Sequence, residues 1–297
     1  MSENGQNPQD WPTSVAEMQH PPESPSLVKP AGNGVEFSRS SSAEETQIES
    51  GKIIFVFPAY NEEESLPPLL DRIQRVFKNY QRDYNVIIVN DGSSDDTELI
   101  ASQYSFRMPL TLVNHEVNKG FGAAVETGMS AAAKIANDDD IIVTMDADNT
   151  QPPETIQRMV AWIEDGYDVI IASRYRAGAR VVGVPFLRNI YSLGARGLFT
   201  VFFPTRGVRD YTSGFRAIRA SIIRRGFEKY GERFFSEDGF SATVDTLLKM
   251  RALDEVLFYE VPLILRYDQK EGESKMNVSR TIKQTLSLIA KRRMGKY

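Results

Sequence analysis

The chain has 297 residues, of which 41% are hydrophobic and 25% charged, and its formal net charge is −5 at pH 7. This composition supplies enough apolar material for one large domain with appendages. There is no cysteine, and the only two histidines are His20 and His115, so disulfides, cysteine nucleophiles and multi-histidine metal sites are excluded, and any divalent ion must be held by oxygen ligands.

The first 50 residues are dominated by Pro, Ser, Glu, Asn and Gln. Such a segment cannot bury enough apolar surface to offset its ordering entropy, so we predict a disordered tail over 1–50. From residue 51 onward, short apolar runs predict strands, and apolar residues at helical spacing predict helices. In chain order these are strand 53–57, helix 66–77, strand 86–89, a helix capped near Asp95, strand 110–113, helix 122–136, strand 141–145, helix 153–164 and strand 169–172.

Apolar strands that alternate with helices predict an α/β domain with a mainly parallel central sheet and helices on both faces. Ligands of such sheets bind beyond the carboxyl ends of the strands. Asn61, Asp91, Asp146 and Asp148 each follow a predicted strand. We therefore expect these four side chains at one edge of the sheet.

The alternation is lost after Ser173. The stretch 187–203 predicts one or two amphipathic helices, 256–261 a late strand, and 281–297 a helix with a basic end. That basic end fits a helix packed on the domain and also an anionic membrane surface, and both interpretations stay open. No apolar run approaches the roughly 20 residues that span a bilayer, and the N-terminus lacks a signal pattern. We therefore expect a cytoplasmic protein, with peripheral membrane contact left open.

A pair of carboxylates, Asp146 and Asp148, follows the apolar run that ends at Met145. Paired carboxylate oxygens suit Mg²⁺ or Mn²⁺ and, through the metal, a diphosphate. Gln151 adds a neutral oxygen nearby in sequence. An isolated acidic pair is more often a turn or a helix cap, so its meaning depends on the rest of the chain.

The stretch from Ile171 to Arg225 holds eleven arginines, no lysine and a single acid, Asp210. Guanidinium groups suit phosphates, and solvated surfaces usually mix both signs of charge. The stretch therefore predicts an anionic partner, which from charge alone is a phosphate, an anionic membrane or a nucleic acid.

Several motifs in order carry a family resemblance. They are Pro58-Ala59-Tyr60-Asn61-Glu62, Asn90-Asp91-Gly92-Ser93, Asn118-Lys119-Gly120-x-Gly122 and Asp146-Ala147-Asp148 with Gln151. This set resembles the inverting family-2 glycosyltransferases of the GT-A fold. A second set resembles the polyprenyl-phosphate sugar synthases, the dolichol-phosphate mannose synthases in particular: Ser173-Arg174-Tyr175, Arg188-x-x-x-Ser192, Thr212-Ser213-Gly214-Phe215-Arg216 and Gly272-x-Ser274-Lys275.

The resemblance covers about 52–276 and implies a GT-A domain over 51–276. Its donor half is about 51–172 and its acceptor half about 173–276, and a basic amphipathic helix follows over 277–297. The resemblance also implies a nucleotide-sugar donor, a GDP- or UDP-hexose, and no nucleic-acid partner.

On the donor side, the resemblance implies a role for nine residues. Pro58, Tyr60 and Glu62 would line the nucleoside pocket, and Asp91 would accept hydrogen bonds from the base. Lys119 and Gly120 would let the backbone approach the nucleotide. The metal, Mg²⁺ or Mn²⁺, would be held by Asp146, Asp148 and Gln151.

On the acceptor side, the implied phosphate-binding residues are Arg174, Arg188, Ser192 and Arg216. Arg266 and the segment around Lys275 would close on the donor diphosphate. An anionic phosphate acceptor needs positioning and charge neutralisation, whereas a hydroxyl acceptor needs a base.

The sequence therefore predicts a metal-dependent inverting glycosyltransferase that moves a hexose, mannose or glucose, to a polyprenyl phosphate. Its predicted catalytic residues are Asp148, Arg174, Arg188, Arg216 and Asp238. Ser236-Glu237-Asp238 departs from the polyprenyl synthases and resembles the acidic pair of hydroxyl-acceptor relatives. The alternative is thus a hydroxyl acceptor on a soluble metabolite or glycan, with Asp238 or Glu237 as base.

Two rivals outside this class are less well supported. A nucleotidyltransferase would open with a Gly-rich basic loop after the first strand, which Pro58-Ala59-Tyr60-Asn61-Glu62 is not. A binding module without activity would leave the ordered motifs unexplained. The sugar, the base and the oligomeric state stay open.

Overall fold

The computed structural model describes residues 51–184, 186–269 and 278–294, without the side chains of 186–191, 240 and 278–282. The predicted tail over 1–50 lies outside the described residues. The strands are β1 (Ile53–Ala59), β2 (Tyr84–Asn90), β3 (Leu110–Asn114), β4 (Ile141–Thr144), β5 (Val169–Ser173), β6 (Arg180–Val182), β7 (Arg216–Arg219), β8 (Phe258–Pro262) and β9 (Ile264–Arg266). The α-helices are α1 (Leu66–Tyr80), α2 (Thr97–Tyr104), α3 (Phe121–Ile135), α4 (Thr155–Glu164), α5 (Phe186–Phe202), α6 (Ala220–Tyr230), α7 (Phe240–Arg251) and α8 (Val278–Arg293).

Seven strands form one mixed sheet in the order β3-β2-β1-β4-β7-β5-β8. β1 pairs in parallel with β2 and β4, β2 with β3, and β5 with β8. Only β7 runs antiparallel to its two neighbours in this sheet. The predicted α/β architecture with a mainly parallel sheet is confirmed.

The sheet is covered on both faces because successive residues of a strand point to opposite sides. In β1, Phe55 and Phe57 pack into a core that contains the apolar face of α1. Ile54 and Val56, between them, pack into a second core that contains α3. All four side chains are fully buried, which explains why the strand reads as an uninterrupted apolar run.

β7 lies between β4 and β5 although it follows both in sequence. A strand from the predicted acceptor half is therefore built into the sheet of the predicted donor half. The described residues from 51 onward fall in one compact unit, and the division at residue 172 stays a prediction about function.

The C-terminal helix α8 is held by its basic residues. Arg292 Nε donates to Asp245 on α7 at 2.9 Å, and Lys291 Nζ donates to Glu237 at 2.8 Å. The Arg293 guanidinium lies over the Phe202 ring, 5.3 Å from its centroid. These three charges thus have partners within the domain.

α5 carries the aromatic-rich sequence predicted to be amphipathic. Its buried Phe199 stacks on Tyr211 with ring centroids 5.7 Å apart. Among the described helices, none is both long enough and apolar enough to cross a bilayer.

Candidate active site

The loops that follow β1 and β2 are interlocked. Asn61 N–H donates to Ser93 Oγ at 2.9 Å, and Ser94 N–H donates to Asn61 Oδ1 at 2.9 Å. Glu62 N–H donates to Thr97 Oγ1 at 2.8 Å. Asn61 has a φ of 51°, a left-handed conformation that asparagine tolerates better than most residues. The segment that carries Pro58, Tyr60 and Glu62 is therefore fixed against the turn that carries Asp91.

Pro58 and Glu62 are half-buried, whereas Tyr60 is exposed at the sheet edge. All three lie at the carboxyl end of β1, whose neighbours β2 and β4 run parallel to it. The structure thus brings the predicted nucleoside-pocket residues to the same edge as Asp91, Asp146 and Asp148. Their contact with a nucleoside stays a prediction.

Asp91 joins the second loop to the glycine-containing loop before α3. Its carboxylate is buried and accepts from Lys119 N–H at 2.9 Å and from Gly120 N–H at 2.8 Å. His115 Nδ1 lies 2.7 Å from Asp91 Oδ1. The Lys119 side chain is exposed. Asp91 as a ligand of the base stays a prediction, and its observed contacts are with the protein backbone and a histidine.

Gly122 brings the start of α3 against the segment that carries Asp238. A Cβ at position 122 would lie 2.6 Å from the Glu237 carbonyl oxygen and 3.2 Å from the Asp238 Cα. Only a glycine fits this approach without displacing backbone. Glu237 is paired with Lys291, whereas the Asp238 side chain is exposed. Of these two acids, Asp238 is therefore the one whose side chain is accessible next to the loop before α3.

The two carboxylates after β4 are each oriented by a neighbour in the same loop. Gln151 Nε2 donates to Asp146 Oδ2 at 2.7 Å, and Asp146 N–H donates to Gln151 Oε1 at 3.1 Å. Thr150 Oγ1 donates to Asp148 Oδ1 at 2.7 Å. Asn149 between them has a φ of 56°. The sequence did not single out Thr150, although a threonine two residues after an aspartate is a common turn device.

This donor set fits a divalent ion that also binds a diphosphate. Two carboxylates and an amide oxygen are the oxygen ligands that Mg²⁺ and Mn²⁺ prefer. Within the described residues, no group of three or more acids or histidines could hold a metal by itself, so ligand oxygens and water would complete the coordination. The Gln151 oxygen already accepts one hydrogen bond and has a second lone pair. Its role as a metal ligand stays a prediction.

Arg174 and Asp210 form a bidentate ion pair. Arg174 donates to the Asp210 carboxylate through Nε at 2.9 Å and through Nη2 at 2.7 Å. Asp210 is fully buried. Burial would raise the pKa of Asp210, but the Arg174 guanidinium holds it below its ordinary value. Burial would likewise lower the pKa of Arg174, but Asp210 and Asp146 together hold it above its ordinary value.

The pair leaves Arg174 Nη1 on the side away from Asp210, where it lies 3.4 Å from Ser192 Oγ on α5. Two of the predicted phosphate-binding residues are therefore together. Asp210 is itself positioned by Glu260 on β8, whose Oε1 accepts from Asp210 N–H at 2.6 Å. The sequence signal for Asp210 was its isolation as the one acid among eleven arginines; Glu260 gave no signal.

Arg216 lies inside the domain on β7 and is 3% exposed. It donates through Nη1 to Thr243 O at 2.7 Å and through Nη2 to Tyr211 O at 2.9 Å. Burial lowers its pKa to about 9. It lines a cavity of about 30 Å³ together with Asp146 and Gly214. Its observed contacts hold the Tyr211 segment and α7 to the sheet, and its contact with an acceptor phosphate stays a prediction.

The remaining predicted residues are only partly covered by the structure. Arg266 Nη2 pairs with Asp268 at 2.8 Å, while its N–H donates to Thr150 O at 2.8 Å. That backbone bond ties β9 to the Asp146–Asp148 loop. The Arg188 side chain and all of Lys275 lie outside the described residues.

Other arginines of the basic stretch have acidic partners from distant elements. Arg219 Nε lies 3.6 Å from Asp168, and Arg224 pairs with Asp138. Both acids lie outside the basic stretch, which itself contains one acid. More of its arginines are therefore ion-paired within the protein than the sequence predicts.

The chain is similar in sequence to proteins of a known family. The family model described as glycosyl transferase family 2 matches residues 54–227. A dolichol-phosphate mannosyltransferase of Pyrococcus furiosus is 32% identical over 76% of this chain, and the match spans 59% of that relative's length. A polyprenol monophosphomannose synthase of Mycolicibacterium smegmatis is 29% identical over 77% of this chain and 82% of its own.

The fold also resembles solved structures. The glucosyl-3-phosphoglycerate synthase of Mycobacterium tuberculosis, in complex with Mn²⁺, UDP and phosphoglyceric acid, aligns with a TM-score of 0.57 at 20% identity. The alignment covers 81% of this chain and 76% of that one. This likeness concerns the fold, and it confirms the predicted GT-A architecture.

Asp210→Asn is expected to lower the free energy of unfolding by about 3–5 kcal/mol at pH 7, because it leaves the buried Arg174 guanidinium without its counter-charge. The folded pKa of Asp210 is lowered, so the pair stabilises the fold above the unfolded pKa of about 3.9 and loses this effect as the pH falls through the folded pKa. The measurement is urea unfolding from pH 7 to pH 3. The difference in unfolding free energy between the variant and the wild type should be constant down to about pH 4 and should shrink at lower pH.

The control is Asp268→Asn, which removes one partner of an exposed Arg–Asp pair and should leave the unfolding free energy unchanged. Equal effects of the two substitutions, or a difference for Asp210→Asn that grows in acid, would contradict this account of the buried pair.

Proposed function

Since the chain belongs to glycosyl transferase family 2, we propose that it transfers a hexose, mannose or glucose, from a nucleotide diphosphate sugar to a polyprenyl phosphate, with inversion at the anomeric carbon. The names of the archaeal and mycobacterial relatives support this acceptor class. The observation that carries the proposal is on α5, where the Ser192 hydroxyl beside Arg174 adjoins an uncharged apolar surface.

The residue of α5 that we propose as a phosphate contact is Ser192. It lies beside Arg174 Nη1, the part of that guanidinium that faces away from Asp210. A phosphate at this position would meet a hydroxyl and a guanidinium N–H in a partly buried setting, where such hydrogen bonds are strong. Arg188, one turn earlier on α5, is the further phosphate contact that we propose.

The surface of α5 carries no charge at its exposed positions between residues 192 and 202. These positions are Leu193, Gly194, Gly197, Leu198, Thr200, Val201 and Phe202. Val201 is 74% exposed and Leu193 58% exposed. Exposed apolar surface of this kind is typical of a contact site for a protein, a ligand or a membrane. Because it begins beside Ser192, it fits the hydrocarbon of a lipid acceptor and the membrane that holds it.

Basic side chains lie near this apolar surface, either in sequence or in contact with it. Arg206 and Arg209, shortly after α5, are exposed, and Arg293 of α8 covers one end at Phe202. An apolar face with a basic border is typical of segments that lie in the interface of an anionic membrane. We propose that the chain docks to the membrane through this surface.

In the proposed reaction, an acceptor phosphate oxygen forms a bond to the anomeric carbon while that carbon's bond to the donor diphosphate breaks. The electron pair leaves with the nucleoside diphosphate, so one displacement inverts the configuration. The phosphate is anionic near neutral pH, so Arg174 and Ser192 need only orient it and offset its charge. A divalent ion held by Asp146 and Asp148 would offset the charge that develops on the leaving diphosphate.

Label transfer from GDP-mannose and from UDP-hexoses to a polyprenyl phosphate in detergent, with Mg²⁺ or Mn²⁺, is expected to place metal-dependent label in the organic phase. Asp148→Ala should lower the rate by about 100-fold or more, because metal stabilisation is worth several kcal/mol and each 1.36 kcal/mol is tenfold. Asp165→Ala, at an exposed acid after α4, is the control and should match the wild type. Full transfer by Asp148→Ala with metal present would refute the metal-dependent mechanism.

Flotation with phosphatidylglycerol vesicles is expected to capture the wild type. Replacing both Leu193 and Val201 by Glu should weaken vesicle binding by about tenfold or more, because two apolar side chains would no longer be buried in lipid. Phe106→Glu changes another exposed apolar residue, 88% exposed and located after α2, and should have no effect. Equal loss in both variants, or no wild-type binding, would rule out α5 as the docking surface.

A second candidate is transfer to a hydroxyl, and the position of Asp238 favours it. Asp238 is exposed, and its backbone lies against Gly122 at the start of α3. This position is next to the loop of Lys119 and Gly120, which we propose approaches the nucleotide. A carboxylate there would accept the acceptor's hydroxyl proton as that oxygen attacks the sugar.

Asp238→Asn separates the two candidates. For a phosphate acceptor, we expect turnover within about threefold of the wild type, because no proton has to be removed from the acceptor. A fall of about 100-fold or more with unchanged donor affinity would instead establish Asp238 as the base of a hydroxyl-directed enzyme.

A further inference from the structure

A chain of three hydrogen-bonded side chains, two of them buried and Thr127 half-buried, adjoins the glycine-containing loop before α3. Thr127 Oγ1 on α3 lies 3.0 Å from His115 Nε2, and His115 Nδ1 lies 2.7 Å from Asp91 Oδ1. His115 is 8% exposed and Asp91 is 2% exposed. The predicted motifs do not include either His115 or Thr127, and the proposed reaction does not use them.

The Asp91 carboxylate fixes the backbone of the loop. Its Oδ1 accepts from Lys119 N–H and its Oδ2 from Gly120 N–H, and Gly120 has a φ of 93°. A Cβ at Gly92 would lie 2.5 Å from the Val117 carbonyl carbon and 2.6 Å from Asn118 N, so the turn that carries Asp91 lies directly against the loop. The conformation of residues 117–120 therefore depends on where the Asp91 carboxylate is held.

His115 is the one side chain among the described residues within hydrogen-bond distance of the Asp91 carboxylate. Because an ionised carboxylate only accepts, Nδ1 is assigned as the donor. Donation from Nδ1 assigns the other ring nitrogen, Nε2, as acceptor from the Thr127 hydroxyl in the neutral imidazole. The backbone N–H of His115 also donates to Asn90 O at 2.9 Å. This bond anchors the histidine to the end of β2. The histidine thus links β2, α3 and the carboxylate between them.

We propose that His115 and Thr127 are positioning residues for the donor nucleotide. They hold Asp91 in the orientation that presents the loop of Lys119 and Gly120 to the nucleotide, and neither residue touches the donor or the reacting atoms. This inference rests on the proposed function, since it requires that the edge formed by β1, β2 and β4 binds a nucleoside diphosphate.

The two ring nitrogens can be tested separately with amide side chains. The side-chain amide of Asn occupies the place of Nδ1 and that of Gln the place of Nε2, so His115→Asn can still donate to Asp91, whereas His115→Gln can reach only Thr127. His115→Ala removes both bonds. Thr127→Val keeps the shape of the threonine and removes its hydroxyl.

Calorimetric titration of the full chain with GDP and with UDP, in the presence of Mg²⁺, is the test. We expect His115→Ala and His115→Gln to weaken nucleotide binding by about tenfold, which corresponds to the loss of one hydrogen bond to a charged group. His115→Asn should stay within about threefold of the wild type, and Thr127→Val should weaken binding by about threefold. In donor-saturation kinetics the loss should be in KM, with kcat within about twofold.

A matched control separates positioning from general stability. Tyr104→Phe removes another side-chain hydrogen bond to a carboxylate, that of Tyr104 Oη to Asp71 at 2.8 Å. It should lower the melting temperature and leave the nucleotide Kd unchanged. A purely structural His115 would behave like Tyr104 in both measurements.

The outcomes distinguish this inference from the proposed function. If the wild type binds neither nucleotide, both the proposed function and this inference fail. If the wild type binds but His115→Ala binds equally well, or if His115→Asn is as weak as His115→Ala, only the positioning role fails. Weak binding by His115→Ala that is restored in His115→Asn supports it.

Discussion

The parallel pairing of β1 with β2 on one side and β4 on the other is the constraint on which the site depends. Because the three strands run in the same direction, their carboxyl ends meet at one edge of the sheet. The loops that follow them carry Asn61, Asp91 and Asp146. The loops after β1 and β2 are close enough to hydrogen-bond to one another, whereas the carboxylates of the loop after β4 are oriented by bonds within that loop. The residues predicted to bind the donor lie at one edge of the sheet because of this arrangement of strands.

Buried charge is the second organising feature. Asp210 and Asp245 are almost fully buried, and each is matched by a cation: Arg174 for the first, and Lys249 with Arg292 for the second. A buried ion pair is weak evidence of stability, because desolvation offsets much of the attraction. Its clearer consequence is geometric. A guanidinium that must satisfy a buried carboxylate has a fixed orientation, and for Arg174 that orientation leaves one nitrogen beside Ser192 on α5.

The basic residues at the end of α8 show how tertiary structure changes the meaning of a charge pattern. In the sequence they form a cluster that suits a membrane surface. In the structure Lys291 and Arg292 pair with Glu237 and Asp245, so these charges dock the helix beside the segment that carries Asp238. The surface that we propose for membrane contact is instead the uncharged face of α5. Of the two arginines on α5, Arg196 lies over the Tyr175 ring, and the side chain of Arg188 lies outside the described residues.

The sequence by itself determined the parallel core of the sheet, since β1, β2, β4 and β5 are buried on both faces and therefore read as apolar runs, with the turn residues of the site directly after them. It did not reveal β7, because Arg216 and Arg219 at its ends hide a strand of four residues. Nor could it pair Arg174 with an acid 36 positions away or Asp91 with a histidine 24 positions away. Local patterns record burial and periodicity, whereas the partner of a buried charge depends on which distant elements become neighbours. Only the tertiary structure decides that.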